Sequence, residues 1–207
     1  MDKKDKKRGY HHGNLAQSLL NAVDELATKF GIESVTLRGC AKLVGVSPSS
    51  AFRHYADKRS LLTAFATRAL LQLCDLMTQA RNRAVAEGEN PFRAVGMAYI
   101  EFALDKPAFF RAMWHEEAIY SNDPAYVDAS RKLSDQLQGG FADTIEDRDP
   151  GDLDPRELLA WSSVHGLASL FVDGPVAKGQ VRSQKLAMAT KVLDCLGPAF
   201  ARSPTTG

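Results

Sequence analysis

Residues 36–55 read TLRGCAKLVGVSPSSAFRHY, and this stretch decides the fold. Thr36 suits a helix N-cap, because its hydroxyl can accept a hydrogen bond from an N–H in the first turn. Leu37, Cys40, Ala41 and Val44 then fall at helical spacing. Gly45-Val46-Ser47 breaks that pattern, and Ser47-Pro48 restarts it as N-cap and first helical residue. Two short helices across a three-residue turn containing glycine form the helix-turn-helix pattern. Ala41 falls at the helix crossing, where a small side chain lets the backbones approach, and Val46 is placed to plug the turn. The second helix presents Ser49, Ser50 and Arg53. Such a helix enters the major groove with its N-terminal residues towards base edges, and a guanidinium there favours G through O6 and N7. His54 and Lys58, with the backbone N–H groups at both helix starts, suit phosphates. Spacing alone also fits a solvated helical hairpin that merely carries charges.

Working outward, Leu15, Leu19, Ala22, Val23, Leu26 and Phe30 repeat at helical spacing behind the cap candidate Asn14. Gly31 stops that helix, with Ile32 placed to fold back in a Schellman-like ending. Asp57 caps a long helix with Leu61, Phe65, Ala69, Leu73, Leu76 and Ala80 on one face, ended by Gly88. Asn90-Pro91, Lys106-Pro107, Asp123-Pro124 and Asp154-Pro155 each precede a helix-period pattern. Helices are expected at 91–104, 107–116, 124–146, 155–173 and 180–196. Residues 147–154 read as an acidic loop, and the chain after Gly197-Pro198 as a frayed tail. No segment sustains period-two alternation. The expected fold is all-α with about nine helices, a three-helix helix-turn-helix head before a helical body.

Charge follows the same division. The chain has 207 residues and a net charge of +1, which read alone offers no support for nucleic-acid binding. Residues 1–60 carry 11 Lys/Arg against 6 Asp/Glu, whereas 61–207 carry 15 against 19. A +5 head on a −4 body suggests a nucleic-acid-facing end. A hydrophobic share of 44% argues against wholesale disorder. The basic run Lys3 to Arg8 lacks the apolar stretch of a secretory signal. It either stays solvated or lies along phosphates or in a minor groove. No apolar run approaches the roughly 20 residues that span a bilayer, so no membrane partner is expected. Cys40, Cys74 and Cys195 lack disulfide or zinc spacing and read as ordinary buried thiols of a reducing cytosol. His11-His12 has no third ligand at a suitable spacing, so no metal is expected.

Residues 14–65 resemble the DNA-binding domain of the TetR (tetracycline-repressor) family of bacterial transcription regulators. The resemblance runs without gaps through Gly31 to Arg38, Ala41 to Ser47, Phe52-Arg53-His54-Tyr55 and Lys58 to Leu62. It implies base-facing roles for Arg38, Pro48, Ser49 and Arg53, and phosphate roles for Thr36, Ser50, His54 and Lys58. There are two departures. Phe52 stands where the family usually has a Tyr that contacts phosphate, which removes a hydrogen bond of roughly 1 kcal/mol net. Ala51 stands where Leu is common, so Phe52 and Tyr55 are expected to fill the core instead. The implied division is a basic arm at 1–13, the head at 14–60, an effector-binding and dimerisation domain at 61–200, and a tail at 201–207. The implied function is a cytoplasmic, homodimeric repressor without a cofactor, released from a palindromic DNA operator by a small-molecule effector.

The body concentrates aromatics between Tyr99 and Tyr120, with Met97 and Met113 interspersed. Each could be plain core; together they could line a cavity for an apolar or aromatic ligand. Met97, Phe102, Phe110, Met113, Trp114, Trp161 and His165 are the expected pocket residues. Trp161-x-x-Val-His165-Gly166 resembles the Trp…His-Gly subclass of the family, as does Tyr99 to Pro107. His165 reads as a satisfied core histidine, and Gly166, which costs a helix about 1 kcal/mol, as a point of close helix packing. Leu167, Leu170, Phe171, Leu186, Ala189, Val192, Leu193 and Leu196 offer more apolar face than one covering layer needs. The family joins its two subunits through these last two helices. Two other functions fit less well. An all-α enzyme would need a catalytic set around His115-Glu116-Glu117 or Asp173, and none has persuasive spacing. A module that only sequesters hydrophobic ligands would leave the helix-turn-helix unexplained.

Overall fold

A computed structural model describes residues 15–138, 155–174, 176 and 178–200. Among these the chain is helical throughout, with no strand. The helices are α1 (Leu15–Phe30), α2 (Leu37–Val44), α3 (Pro48–Phe52), α4 (Lys58–Glu87), α5 (Pro91–Asp105), α6 (Pro107–Met113), α7 (Pro124–Gln138), α8 (Pro155–Val172) and α9 (Arg182–Phe200). Short 3-10 turns at Ile32–Ser34 and Glu116–Ala118 follow α1 and α6. The basic arm, His11-His12, Asn14, the acidic loop and the tail after Phe200 lie outside the described residues.

Local chemistry sets the boundaries. Asn90 Oδ1 accepts from the Phe92 and Arg93 N–H groups, and Asp123 Oδ1 accepts from Ala125 and Tyr126, so two Xaa-Pro pairs are true caps. Gly88 ends α4 in the left-handed conformation at φ +70°. Gly31 also has positive φ, but its ψ of 156° lies outside the left-handed well. α1 therefore ends without a Schellman motif; Ile32 nonetheless folds back and is buried.

One continuous core joins head and body. Leu19, Val23, Cys40, Ala41 and Ala51 of the head are fully buried, as are Leu61 and Phe65 where α4 begins. Phe65 stacks on Phe109 of α6 with ring centroids 4.3 Å apart. α6 lies against both α1 and α4, so this pair pins the body to the head. At the other side, a Cβ on Gly96 would meet Leu193 at 3.1 Å, so α5 and α9 approach where α5 lacks a side chain. Arg182 clamps Asp105 with two hydrogen bonds of 2.6 and 2.7 Å, and Lys185 donates to the Phe171 carbonyl, fixing the start of α9.

Several expectations are corrected. The helix expected over 107–116 stops at Met113, because Trp114 and His115 leave helical geometry before the 3-10 turn. α9 runs through Gly197-Pro198 to Phe200, where only the final turn remains to be disrupted. Cys195 is exposed, unlike Cys40 and Cys74, whose thiols burial pushes up to about 11. Phe30 and Phe52 are exposed at 68% and 44%; the half-buried Tyr55 alone reaches back, its hydroxyl donating to the Ala16 carbonyl at 3.4 Å. A Cβ on Gly166 would meet nothing within 4 Å, so close packing inside this chain does not explain it. α4 passes the length and composition test for a membrane span, but Leu61, Phe65, Leu73 and Met77 on it are buried against protein.

Because the Phe65–Phe109 stack spans head and body, Phe65→Ala should cost about 3–5 kcal/mol in urea unfolding. A loss below about 1 kcal/mol would show that the stack does not hold the two together.

Candidate nucleic-acid interface and ligand cavity

The helix-turn-helix is built from caps. Thr36 Oγ1 accepts from the Gly39 N–H at 3.0 Å, which starts α2 and leaves the hydroxyl proton free to donate outward. Gly45 turns the chain at φ +79°, and the Val46 N–H bonds back to the Ala41 carbonyl at 3.0 Å in a Schellman ending. Ser47 Oγ accepts from the Ser50 N–H at 3.2 Å and starts α3 with Pro48 in its first turn. Ala51, fully buried, seats α3 against the core. α3 has five residues, so Arg53 is its C-cap and His54 lies in the turn beyond.

None of the eight sequence-selected DNA residues is buried. Thr36, Arg38, Pro48, Ser49, Arg53 and His54 are exposed, and Ser50 and Lys58 are half-buried. Hydroxyl groups of Ser49 and Ser50 lie 2.9 and 2.8 Å from Ser47 Oγ, and Arg53 Nη2 donates to Ser50 Oγ at 3.3 Å. Lys58 Nζ donates to the Glu33 carbonyl at 2.7 Å, leaving two of its three N–H donors for another acceptor.

A joint beneath this surface was not foreseen in the sequence. Asp57 and Ser60 form a reciprocal capping box at the start of α4. The other Asp57 oxygen accepts from the Tyr120 hydroxyl at 2.7 Å. The Ser60 N–H first, then Tyr120, holds the Asp57 carboxyl below its ordinary range. Arg59 donates to the Ile119 carbonyl at 2.7 Å and stacks its guanidinium 4.7 Å from the Tyr120 ring centre. The Tyr120 N–H donates to Thr63 Oγ1. The segment after α6 is thereby fastened to the first turn and a half of α4, whose first residue follows the helix-turn-helix within a few residues.

In the body, α4, α5, α7 and α8 line a partly open cavity of about 360 Å³. Among the described residues its walls include Met77, Phe92, Val95, Tyr99, Trp161 and Val164, with Arg81, Asn90, Gln136 and Glu157 as polar lining. Of the seven expected pocket residues only Trp161 lines it. Phe110, Trp114 and His165 line a separate open groove, Met97 a third cavity, Phe102 another surface recess, and Met113 shares one more with Trp114 and Trp161. Aromatic residues in one stretch of a helix point in all directions, so sequence proximity does not gather them. A sharper signal was available: Glu157 precedes Ala160, Val164 and Ala168 on the buried stripe of α8, and Gln136 follows Ala129 and Leu133 on that of α7.

His165 accounts for itself inside an aromatic cluster. Its Nδ1 lies 2.9 Å from the Tyr99 hydroxyl, and its ring is 4.7 Å from Trp114. Burial lowers its pKa. Burial also raises that of Tyr99, with the Trp161 and Trp114 indoles acting against it, although neither indole N–H completes a hydrogen bond. His115, Glu116, Glu117 and Asp173, weighed above as catalytic candidates, share the open groove with His165, but Asp173 is paired with Arg111 at 2.7 Å.

Comparison with known proteins gives this arrangement its relatives. The family profile described as "Tetracyclin repressor-like, C-terminal domain" matches residues 92–196, slightly more than half of the chain. A protein of unknown function from Rhodococcus sp. RHA1 superposes with a TM-score of 0.71 at 26% identity, over 95% of this chain and 100% of that one. A TetR family transcription regulator from Marinobacter aquaeolei VT8 gives 0.58 at 17% identity, over 86% and 94%. The TetR family transcriptional regulator PfmR from Thermus thermophilus gives 0.61 at 17% identity, over 89% and 99%.

The joint has a pH signature. A carboxyl whose pKa is depressed on folding stabilises the protein above its unfolded value, and that contribution disappears as pH falls through the folded value. Asp57→Ala should therefore lower the thermal midpoint by about 2–4 °C at neutral pH, the loss of one cap. The gap should close below the ordinary carboxylate range. A gap unchanged in acid would mean that the Asp57 charge contributes nothing.

Proposed function

The chain belongs to the TetR family, and from that membership we propose that it is a DNA-binding transcriptional regulator that represses from a palindromic operator and is released by a small-molecule effector. The observation that carries this reading is the capped helix-turn-helix, which leaves Arg38, Ser49, Arg53 and His54 exposed together with the free hydroxyl proton of Thr36. Arg38, Pro48, Ser49 and Arg53 read bases; Thr36, Ser50, His54 and Lys58 hold phosphates. The head extends over 14–60, after a basic arm at 1–13. The body at 61–200 takes the effector in the cavity around Trp161 rather than among the residues selected from sequence. A tail follows at 201–207, and the body falls in the Trp…His-Gly subclass. Regulators of this kind work in the cytoplasm and need neither cofactor nor catalytic residues.

Dimerisation supplies the geometry for DNA. Leu159, Ser163, Gly166 and Leu170 follow one another at helical spacing along α8, with Leu159 and Leu170 more than 40% exposed and open space over Gly166. Met188 of α9 adds a further exposed apolar side chain. A second copy of this chain covers that face, the helices meeting where Gly166 permits close approach. The two-fold axis then sets two recognition helices about one DNA turn apart, 34–36 Å. Effector binding favours a dimer with another spacing, so operator affinity falls by linkage. The joint of Asp57, Arg59 and Tyr120 carries movement of the body to the head.

A gel shift on the DNA flanking its own gene tests the reading. The double variant Arg53→Glu, Lys58→Glu should bind at least roughly a hundredfold more weakly while retaining its thermal midpoint within a few degrees. Wild-type affinity should fall steeply with salt, as counterion release requires. Equal binding by the charge-reversed protein would refute the assignment of these residues.

A further inference from the structure

The cavity at Trp161 has a neighbour. A second one, of about 330 Å³, is lined by Leu70 of α4, Met113 and Trp114, Tyr126 and Leu133 of α7, and Trp161 of α8. Among the described residues Trp161 is the one that lines both, so its side chain stands as the partition between them. The linings also continue one another along two helices. Leu70 gives way to Met77, Arg81 and Val85 on α4, and Leu133 to Gln136 on α7. Leu70 to Val85 is about 22 Å along the helix axis, so the cavities lie end to end in a tract of that length. No hydrogen bond fixes the partition: the Trp161 indole N–H has no partner, and the ring leans on Trp114 with centroids 5.9 Å apart. Charge favours neither sign of ligand. Arg81 and Glu157 oppose each other in the first cavity, and Glu116, the one carboxylate lining the second among the described residues, is exposed. The rest of both linings is mostly apolar.

We propose that one extended, uncharged apolar chain threads both cavities with the Trp161 ring swung aside, its far end resting against the segment after α6. Each cavity alone is near the lower end of the roughly 300–1,000 Å³ typical of small-molecule sites. A chain that fills both gains the hydrophobic burial of two short ligands while giving up translational freedom only once. The second cavity also has the better connection to the head. Glu116 and Ser121 line it on either side of Ile119 and Tyr120, the residues bonded to Arg59 and Asp57 at the start of α4. A short ligand confined to the first cavity does not reach that joint; a spanning one does. This ligand class rests on the reading of the body as an effector domain, but its binding does not need the DNA function to be right.

Calorimetry on the full-length protein compares hexan-1-ol with dodecan-1-ol, which share a head group and differ twofold in chain length. Dodecanol should bind as one molecule per chain. Val95→Phe narrows the first cavity, and Val127→Phe or Ser130→Phe the second, two variants serving that end in case one fails to fold. A block at either end should weaken dodecanol at least tenfold, which two independent sites would not show. Hexanol, short enough for a single cavity, should keep at least one site in every variant. On operator DNA, dodecanol should lower affinity at least tenfold and hexanol less than twofold. Two dodecanol molecules per chain, no binding, a block at one end that leaves its affinity unchanged, or operator release that does not distinguish the two alcohols would overturn the proposal. A protein that binds dodecanol across both cavities yet binds no DNA would sink the regulator reading and leave the ligand inference standing.

Discussion

Everything in this molecule hangs on α4. It has 30 residues and is therefore about 45 Å long, and its buried stripe serves two assemblies at once. Leu61, Leu62 and Phe65 near its start complete the head, whereas Leu73, Met77 and Ala80 further on belong to the body. A close-packed helix cannot shift at one end without repacking the other. The head is consequently oriented by the body, and the joint at Asp57 is where that constraint becomes directional. Arg59 and Tyr120 fasten the first turn of α4 to the segment following α6, and α6 is itself stacked on Phe65 through Phe109.

The head was almost fully legible because its information is local. Thr36, Gly45, Ser47-Pro48 and Asp57 each act on backbone groups within a few residues, and each does what its chemistry requires. Helix boundaries set by Asn90 and Asp123 were legible for the same reason. The body was legible as helices but not as a cavity. Which of its aromatics converge depends on the packing of α4, α5, α7 and α8, information spread over residues 77–164. Residue type pointed to Phe102 and Met113, which the core absorbs, and passed over Glu157 and Gln136, polar residues interrupting buried stripes.

Errors about exposure share one cause. Phe52 and Cys195 read as core by type, and Phe30 by its helical spacing, yet one chain leaves all three exposed. Ala51 is small and sits directly on the core, so α3 needs no aromatic at 52 to seat it. Gly166 shows the same thing from the backbone: among the described residues, nothing comes within 4 Å of where its Cβ would stand. The net charge of +1 hides its meaning in a parallel way, since it is the near-cancellation of a basic head and an acidic body. In each case the informative quantity was a distribution over the molecule, not a residue's type or a chain's sum.

The central claim is that α2 and α3 form a reading head presented twice by a two-fold dimer. A hydroxyl-radical footprint on operator DNA selected from a random pool tests it most directly. The account predicts two symmetric protected half-sites with centres about one helical turn, 10–10.5 base pairs, or a multiple of it apart. A single protected half-site, or selection that enriches no inverted repeat, would contradict it.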